Sequence, residues 1–164
     1  MLELNERRIL CACEPCRAMR SGIDGYRPVG TRTLWLDEFN FPDELWAAFQ
    51  IPIGLAFFLS STSTGSVVAL YPSPAGATES ELDLASWAAL RIANPVLAEL
   101  EPDAEALVVN RMASPPQHAI APIDDCYRLV GLIKSTWQGI SGGTAIEDAV
   151  PGFFDELRER GVRA

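Results

Sequence analysis

The sequence predicts an α+β fold: an antiparallel sheet built from two hairpins, with helices packed on it and a loop-rich, cysteine-containing appendage at the N-terminus. Three observations carry this prediction. Two pairs of apolar, β-branched and aromatic segments, LAFFL with VVALY and EALVVNRM with HAIAPI, are each joined by a short turn-forming stretch. Cys126, Leu129, Val130, Ile133 and Trp137 recur at helical spacing. Before residue 36, glycines and prolines interrupt any regular pattern. At 164 residues the chain has the length of one ordinary domain, which divides into an appendage over 1–35 and a single α+β domain over 36–164.

In chain order, RRIL reads as a short strand that runs into CACEPC, after which Gly22, Gly25, Pro28 and Gly30 break the chain into loops. A helix starts at Pro42, whose fixed φ suits a first turn, and Asp43 and Glu44 complement the positive end of its dipole. Leu45, Trp46 and Phe49 form its apolar stripe. LAFFL and VVALY flank SSTSTGS, in which Gly65 supplies a positive φ, so they form a hairpin. Both strands are apolar on both faces, which places them centrally in a covered sheet. PSPAGATES reads as a loop, and a helix from about Asp83 buries Leu84, Trp87, Ala88 and Ile92 before Pro95 restarts a short turn. The second hairpin turns at ASPP. A helix from about Asp124 follows, ended by Gly139 and SGG, and a last helix from about Pro151 packs Phe153, Phe154 and Leu157.

Composition excludes several function classes. Thirteen Lys and Arg face 22 Asp and Glu, for a net charge of -9. Such a surface repels phosphate backbones and anionic lipid, so nucleic acid is not an expected partner. MLELNERRIL carries Glu3, Glu6, Arg7 and Arg8 and lacks the apolar core of a secretory signal, so a cytoplasmic protein is expected. The longest apolar run, from Ile51 to Leu59, is too short for a membrane span. GxSxG and GxxxxGK[ST] are both absent, which removes the signatures of serine hydrolases and P-loop nucleotide sites.

The residues left to carry chemistry are few. Cys13 and Cys16 form a CxxC around Pro15, a spacing that can aim two thiolates at one ion, and Cys11 adds a third thiol. Tetrahedral zinc needs four ligands. Two outcomes stay open: a bound metal, or a vestigial knuckle that is reduced or closed into a Cys13–Cys16 disulfide. Cys126 lies on the apolar stripe of its helix and reads as a small buried hydrophobe. His118, the single histidine, lies on a strand and reads as structural. Asn110, Arg111 and Tyr71 lie at strand ends, where with Asp124 they can form a polar pocket for a small anion. Acidic residues such as Asp124 and Asp125 at a helix start are also ordinary capping chemistry.

The stretches IPIGLAFFLSSTSTGSVVALYPSPAGATES, ANPVLAELEPDAEALVVNR and PIDDCYRLVGLIKSTWQGISGG together resemble an uncharacterised bacterial family typically encoded near uptake nickel-iron hydrogenases. The resemblance implies an N-terminal zinc-binding segment in which an upstream CxxC precedes a CxCxxC cluster. Cys11, Cys13 and Cys16 match the second cluster, and the upstream pair has no counterpart in this sequence. The expectation is a start codon assigned too late or a member that has lost the first half. The implied role is a soluble accessory or binding protein, with a protein partner, in the assembly or operation of a hydrogenase or related redox system. Ligand counting predicts that the chain alone holds zinc weakly or not at all unless a second chain or His118 completes the site. The alternatives are a small enzyme or small-anion-binding protein using Asn110, Arg111 and Asp124, and a purely structural scaffold that dimerises, as a homo-oligomer, through its apolar appendage.

Overall fold

The computed structural model describes residues 1–6, 8–136 and 144–164, with backbone alone over 144–147. The chain opens with strands β1 (Leu2–Glu3) and β2 (Arg8–Ile9), helix α1 (Glu14–Arg20) and strand β3 (Tyr26–Arg27). The three strands form a small antiparallel sheet in the order β2-β1-β3. Then come β4 (Leu34–Trp35), α2 (Asp43–Ala48), β5 (Leu55–Ser61), β6 (Ser66–Ser73) and β7 (Gly76–Ser80). Helix α3 (Leu84–Ala93) and a 3-10 turn (Pro95–Glu99) lead into β8 (Glu105–Asn110) and β9 (Gln117–Pro122). The chain closes with α4 (Ile123–Thr136), α5 (Thr144–Arg160) and β10 (Val162–Arg163).

Seven strands make the main sheet, in the order β10-β4-β9-β8-β5-β6-β7. Every neighbouring pair is antiparallel except β10 with β4, so the sheet is mixed. The two expected hairpins form its centre, with Phe57 opposite Leu70 in one and Val108 opposite Ala119 in the other, and Phe57 opposite Val108 where the two hairpins join.

Strand alternation sends Leu55, Phe57, Leu59, Ala106 and Val108 to one face, where they meet Leu129, Ile133, Phe154 and Leu157 of α4 and α5. Ala56, Phe58, Leu107 and Val109 go to the other face, against Phe49, Trp87, Leu90 and Leu97. A sheet covered on both sides is why these strands carry no polar alternation. Each Phe or Leu buried here contributes about 1.5–3 kcal/mol. Among the described residues, no helix is long and apolar enough to cross a membrane.

Several expectations need correction. PSPAGATES is not all loop: residues 76–80 pair with β6 as an edge strand, entered through Gly76 at φ 121. An edge strand polar on its outer side gives no apolar pattern to read. In α3, Leu84 and Ile92 are 57% and 83% exposed and Ala88 is exposed, while Trp87 and Leu90 are buried. The stacking of Trp87 on Phe58, centroids 5.6 Å apart, fixes the helix rotation and turns the expected stripe outward. Helix α5 starts at Thr144 and carries Pro151 inside it, yet Phe153, Phe154 and Leu157 are buried as the spacing predicted. Cys126, Leu129, Val130 and Ile133 line the buried face of α4; Trp137, Gln138 and Gly139 with the following SGG lie outside the described residues.

The short strands β4 and β10 carry no pattern of their own. Gly161 makes their pairing possible: a Cβ there would lie 2.7 Å from the Leu157 carbonyl oxygen and 3.3 Å from the Trp35 nitrogen. Its N–H bonds back to Leu157 O at 2.9 Å, and the Val162 N–H reaches Thr33 O at 3.0 Å.

Candidate functional site

Three exposed thiols lie in the first 35 residues. CACEPC is not a simple turn: Glu14 and Pro15 open α1, with Cys13 as its N-cap and Cys16 as its third residue. Pro in a first turn loses no helical hydrogen bond, and Glu14 complements the helix dipole. No residue of α1 is buried. Cys11, Cys13 and Cys16 are all exposed free thiols. The backbone N–H and thiol of Cys16 hold the Cys13 pKa below the usual thiol value, and the Cys13 side chain forms no capping hydrogen bond. Arg17 and Arg20 lie in the last turn, with Arg20 stacked 4.6 Å over the Tyr26 ring.

The donor set can be tested against zinc. Cys13 and Cys16 are brought together, but among the described residues no three His, Cys, Asp or Glu side chains gather closely enough to hold a metal ion. Cys11 and His118 do not complete a set with the pair. Two thiolates fall short of the four ligands of a structural zinc centre, so the described residues of one chain do not by themselves make one.

The strand-end residues have structural partners. The Asn110 amide donates to Gln117 Oε1 at 2.9 Å, and its Oδ1 accepts from the N–H groups of Met112 at 3.0 Å and Ala113 at 3.3 Å, closing the β8–β9 turn. Arg111 donates to Phe41 O at 2.9 Å and pairs with Asp43. Its guanidinium lies 5.7 Å from the Phe41 ring centre and 5.4 Å from that of Trp46. It pins the start of α2 to the sheet. Tyr71 packs on the same face. Asp124 is elsewhere: Asn110 pairs with Gln117 at one end of the hairpin and Glu105 with Pro122 at the other, and exposed Asp124 follows that far end. The separation along the strands is about 17 Å. The geometry does not assemble a pocket from Asn110, Arg111 and Asp124.

His118 is only 7% exposed and packs against Phe39 with the rings tilted and their centroids 4.8 Å apart. Its Nε2 is buried without a partner among the described residues. Burial first, and the nearby Arg111 charge second, push its pKa down to about 4, so it is neutral at pH 7. Cys126 donates to Pro122 O at 3.7 Å, and burial raises its thiol well above the ordinary value. His118 sits with Phe39 and Phe41 on one face of the sheet, and Cys126 belongs to the core on the other. They form no nucleophile and base pair.

The buried carboxylates also act as ties. Asp125 pairs with Arg160 and, at 3.4 Å, with Arg128, which reaches Glu156 at 2.9 Å; this lattice locks α4 to α5. Burial raises the Asp125 pKa against the pull of Arg160. Glu105 accepts from Arg32 at 2.8 and 2.6 Å, joining the N-terminal segment to β8. Sequence reasoning missed a cleft of about 340 Å3 between Trp35–Asp37, residues 113–117 and Arg158, whose guanidinium lies 5.7 Å from the Trp35 ring. Its walls are brought together by the β4–β9 pairing, which no sequence pattern marks.

No curated protein and no solved structure matches this chain. A family of unknown function, DUF5947, matches it over residues 1–161. That match spans nearly the whole chain, which therefore belongs to this family of unknown function.

Proposed function

We propose that this chain is a cytoplasmic accessory protein that binds a protein partner and presents to it the thiols of its N-terminal segment, in the assembly or operation of a hydrogenase or related redox system. One observation carries the reading: Cys11, Cys13 and Cys16 are exposed around a helix with no buried residue, while His118, Arg111, Glu105 and Asp125 are walled in or paired. An enzyme acting alone needs a nucleophile or acid–base pair converging on a cleft. An accessory protein needs a reactive group that stands clear of its own body. The hydrogenase connection rests on the resemblance carried by the three long stretches of sequence. Affinity capture from native cells expressing a hydrogenase tests it. Enrichment of a hydrogenase subunit or maturation factor, lost when Cys11, Cys13 and Cys16 are replaced by Ser, supports the proposal; enrichment of neither overturns it.

A second reading, a small-anion-binding protein at the strand ends, is favoured by the cleft in which Arg158 lies over Trp35. Saturable binding of inorganic phosphate that is lost in Arg158→Met supports that reading. Absence of binding at millimolar phosphate rules it out.

A further inference from the structure

We infer that Cys13 and Cys16 are a thiol–disulfide exchange pair that reduces a disulfide on a protein partner, with Cys13 attacking and Cys16 resolving. The partner rests on the accessory reading above; the chemistry of the pair does not. Four features support the pair. Both sulfurs are exposed. Their N-cap and third-residue positions put the Cα atoms about 5 Å apart by helix geometry, inside the roughly 4.4–6.8 Å that a disulfide spans. Cys13 stands ahead of the helix and Cys16 within its first turn, so each sulfur is the other's near neighbour, and Cys13, outside the helix, is assigned the attack. No third ligand joins them among the described residues, so the pair is not committed to a metal. Exposed Met19, one turn along α1 from Cys16, offers apolar contact to an incoming chain.

The step balances. The Cys13 thiolate attacks one sulfur of the partner disulfide, forming a mixed disulfide and releasing the other partner sulfur as a thiolate. Cys16, giving up its proton, attacks the Cys13 sulfur, closes the Cys13–Cys16 bond and releases the second partner sulfur. Two electrons pass from this chain to the partner, and the two protons of the dithiol end on the partner thiols.

The probe is oxidised glutathione, with alkylation and mass spectrometry locating every adduct in the wild type, Cys16→Ser, Cys13→Ser and Cys11→Ser. Because α1 buries nothing, these variants fold, which circular dichroism verifies. In the wild type, Cys16 resolves the adduct intramolecularly, so the Cys13–Cys16 disulfide forms and little glutathione stays bound. Cys16→Ser traps at least about tenfold more glutathione on Cys13, and Cys11→Ser behaves as the wild type. Equal trapping in the wild type and Cys16→Ser, or oxidation that pairs Cys11 instead, overturns the inference. Cycling on glutathione without capture of a hydrogenase component sinks the accessory reading alone. An inert pair in a chain that still captures such a component sinks the exchange chemistry alone.

Discussion

Removing the Arg32 guanidinium tests how the N-terminal segment is held on the domain. Arg32 gives Glu105 two hydrogen bonds, at 2.8 and 2.6 Å, and another to Glu99 O at 2.8 Å. The Glu105 side chain is 3% exposed, and beyond Arg32 it accepts the Glu101 N–H at 3.1 Å. Arg32→Met therefore strands a buried carboxylate. Breaking a fully buried pair costs about 3–5 kcal/mol; with the Arg32 side chain 37% exposed, water screens part of this and about 2–3 kcal/mol is expected. The pH dependence gives the sign. In the wild type burial raises the Glu105 pKa, but the Arg32 hydrogen bonds win and hold it below the ordinary value. Its contribution is thus present at neutral pH and lost as pH falls through the folded-state value. In Arg32→Met burial dominates, the folded value moves above the unfolded one, and the deficit shrinks on acidification. Urea unfolding at pH 7 and pH 4 measures both. Arg32→Met with Glu105→Gln is expected to recover about 1 kcal/mol over Arg32→Met alone at pH 7. A single variant within about 0.5 kcal/mol of wild type, or a deficit unchanged between the two pH values, would refute the reasoning.

His118 titrates near 4 when folded and near 6.5 when unfolded, so its neutral burial favours the fold above pH 6.5 and this contribution is lost as pH falls towards 4. The loss amounts to about 3 kcal/mol, and His118→Phe, placed among Phe39 and Phe41, should remove that part of the slope in urea melts between pH 7 and 4.5. On α3, Leu90→Ala is expected to cost about 2–5 kcal/mol and Ile92→Ala to stay within about 0.5 kcal/mol; equal costs would restore the stripe expected from spacing. Gly161→Ala pushes a methyl against the Leu157 and Trp35 backbones, and a lowered Tm with earlier amide exchange in β10 should follow.

The parts of the fold written in side-chain periodicity were legible in the sequence. The two central hairpins and the Cys126–Ile133 stripe of α4 were read correctly because long runs of burial leave an unambiguous pattern. Elements fixed by tertiary pairing were not. Strands β4 and β10 are two residues each and exist because Gly161 admits the chain beside Trp35. The rotation of α3 is set by Trp87 on Phe58, a contact across more than twenty residues that local spacing cannot rank above Leu84 and Ile92. The candidate site divides the same way. The thiols Cys11, Cys13 and Cys16 were singled out by spacing, but their placement at the start of α1 was not, although Pro15 after Glu14 is a first-turn signal. Asn110, Arg111 and Asp124 lie close in sequence, and antiparallel register carries Asp124 to the far end of the sheet.

The most direct measurement is covalent capture from native cells with Cys16→Ser as bait, followed by identification of what is disulfide-linked to Cys13. The account predicts a hydrogenase subunit or maturation factor bound through Cys13, released by reductant and absent when Cys13→Ser is added. No Cys13-linked protein in hydrogenase-expressing cells, or the same capture with Cys13 replaced, would contradict it.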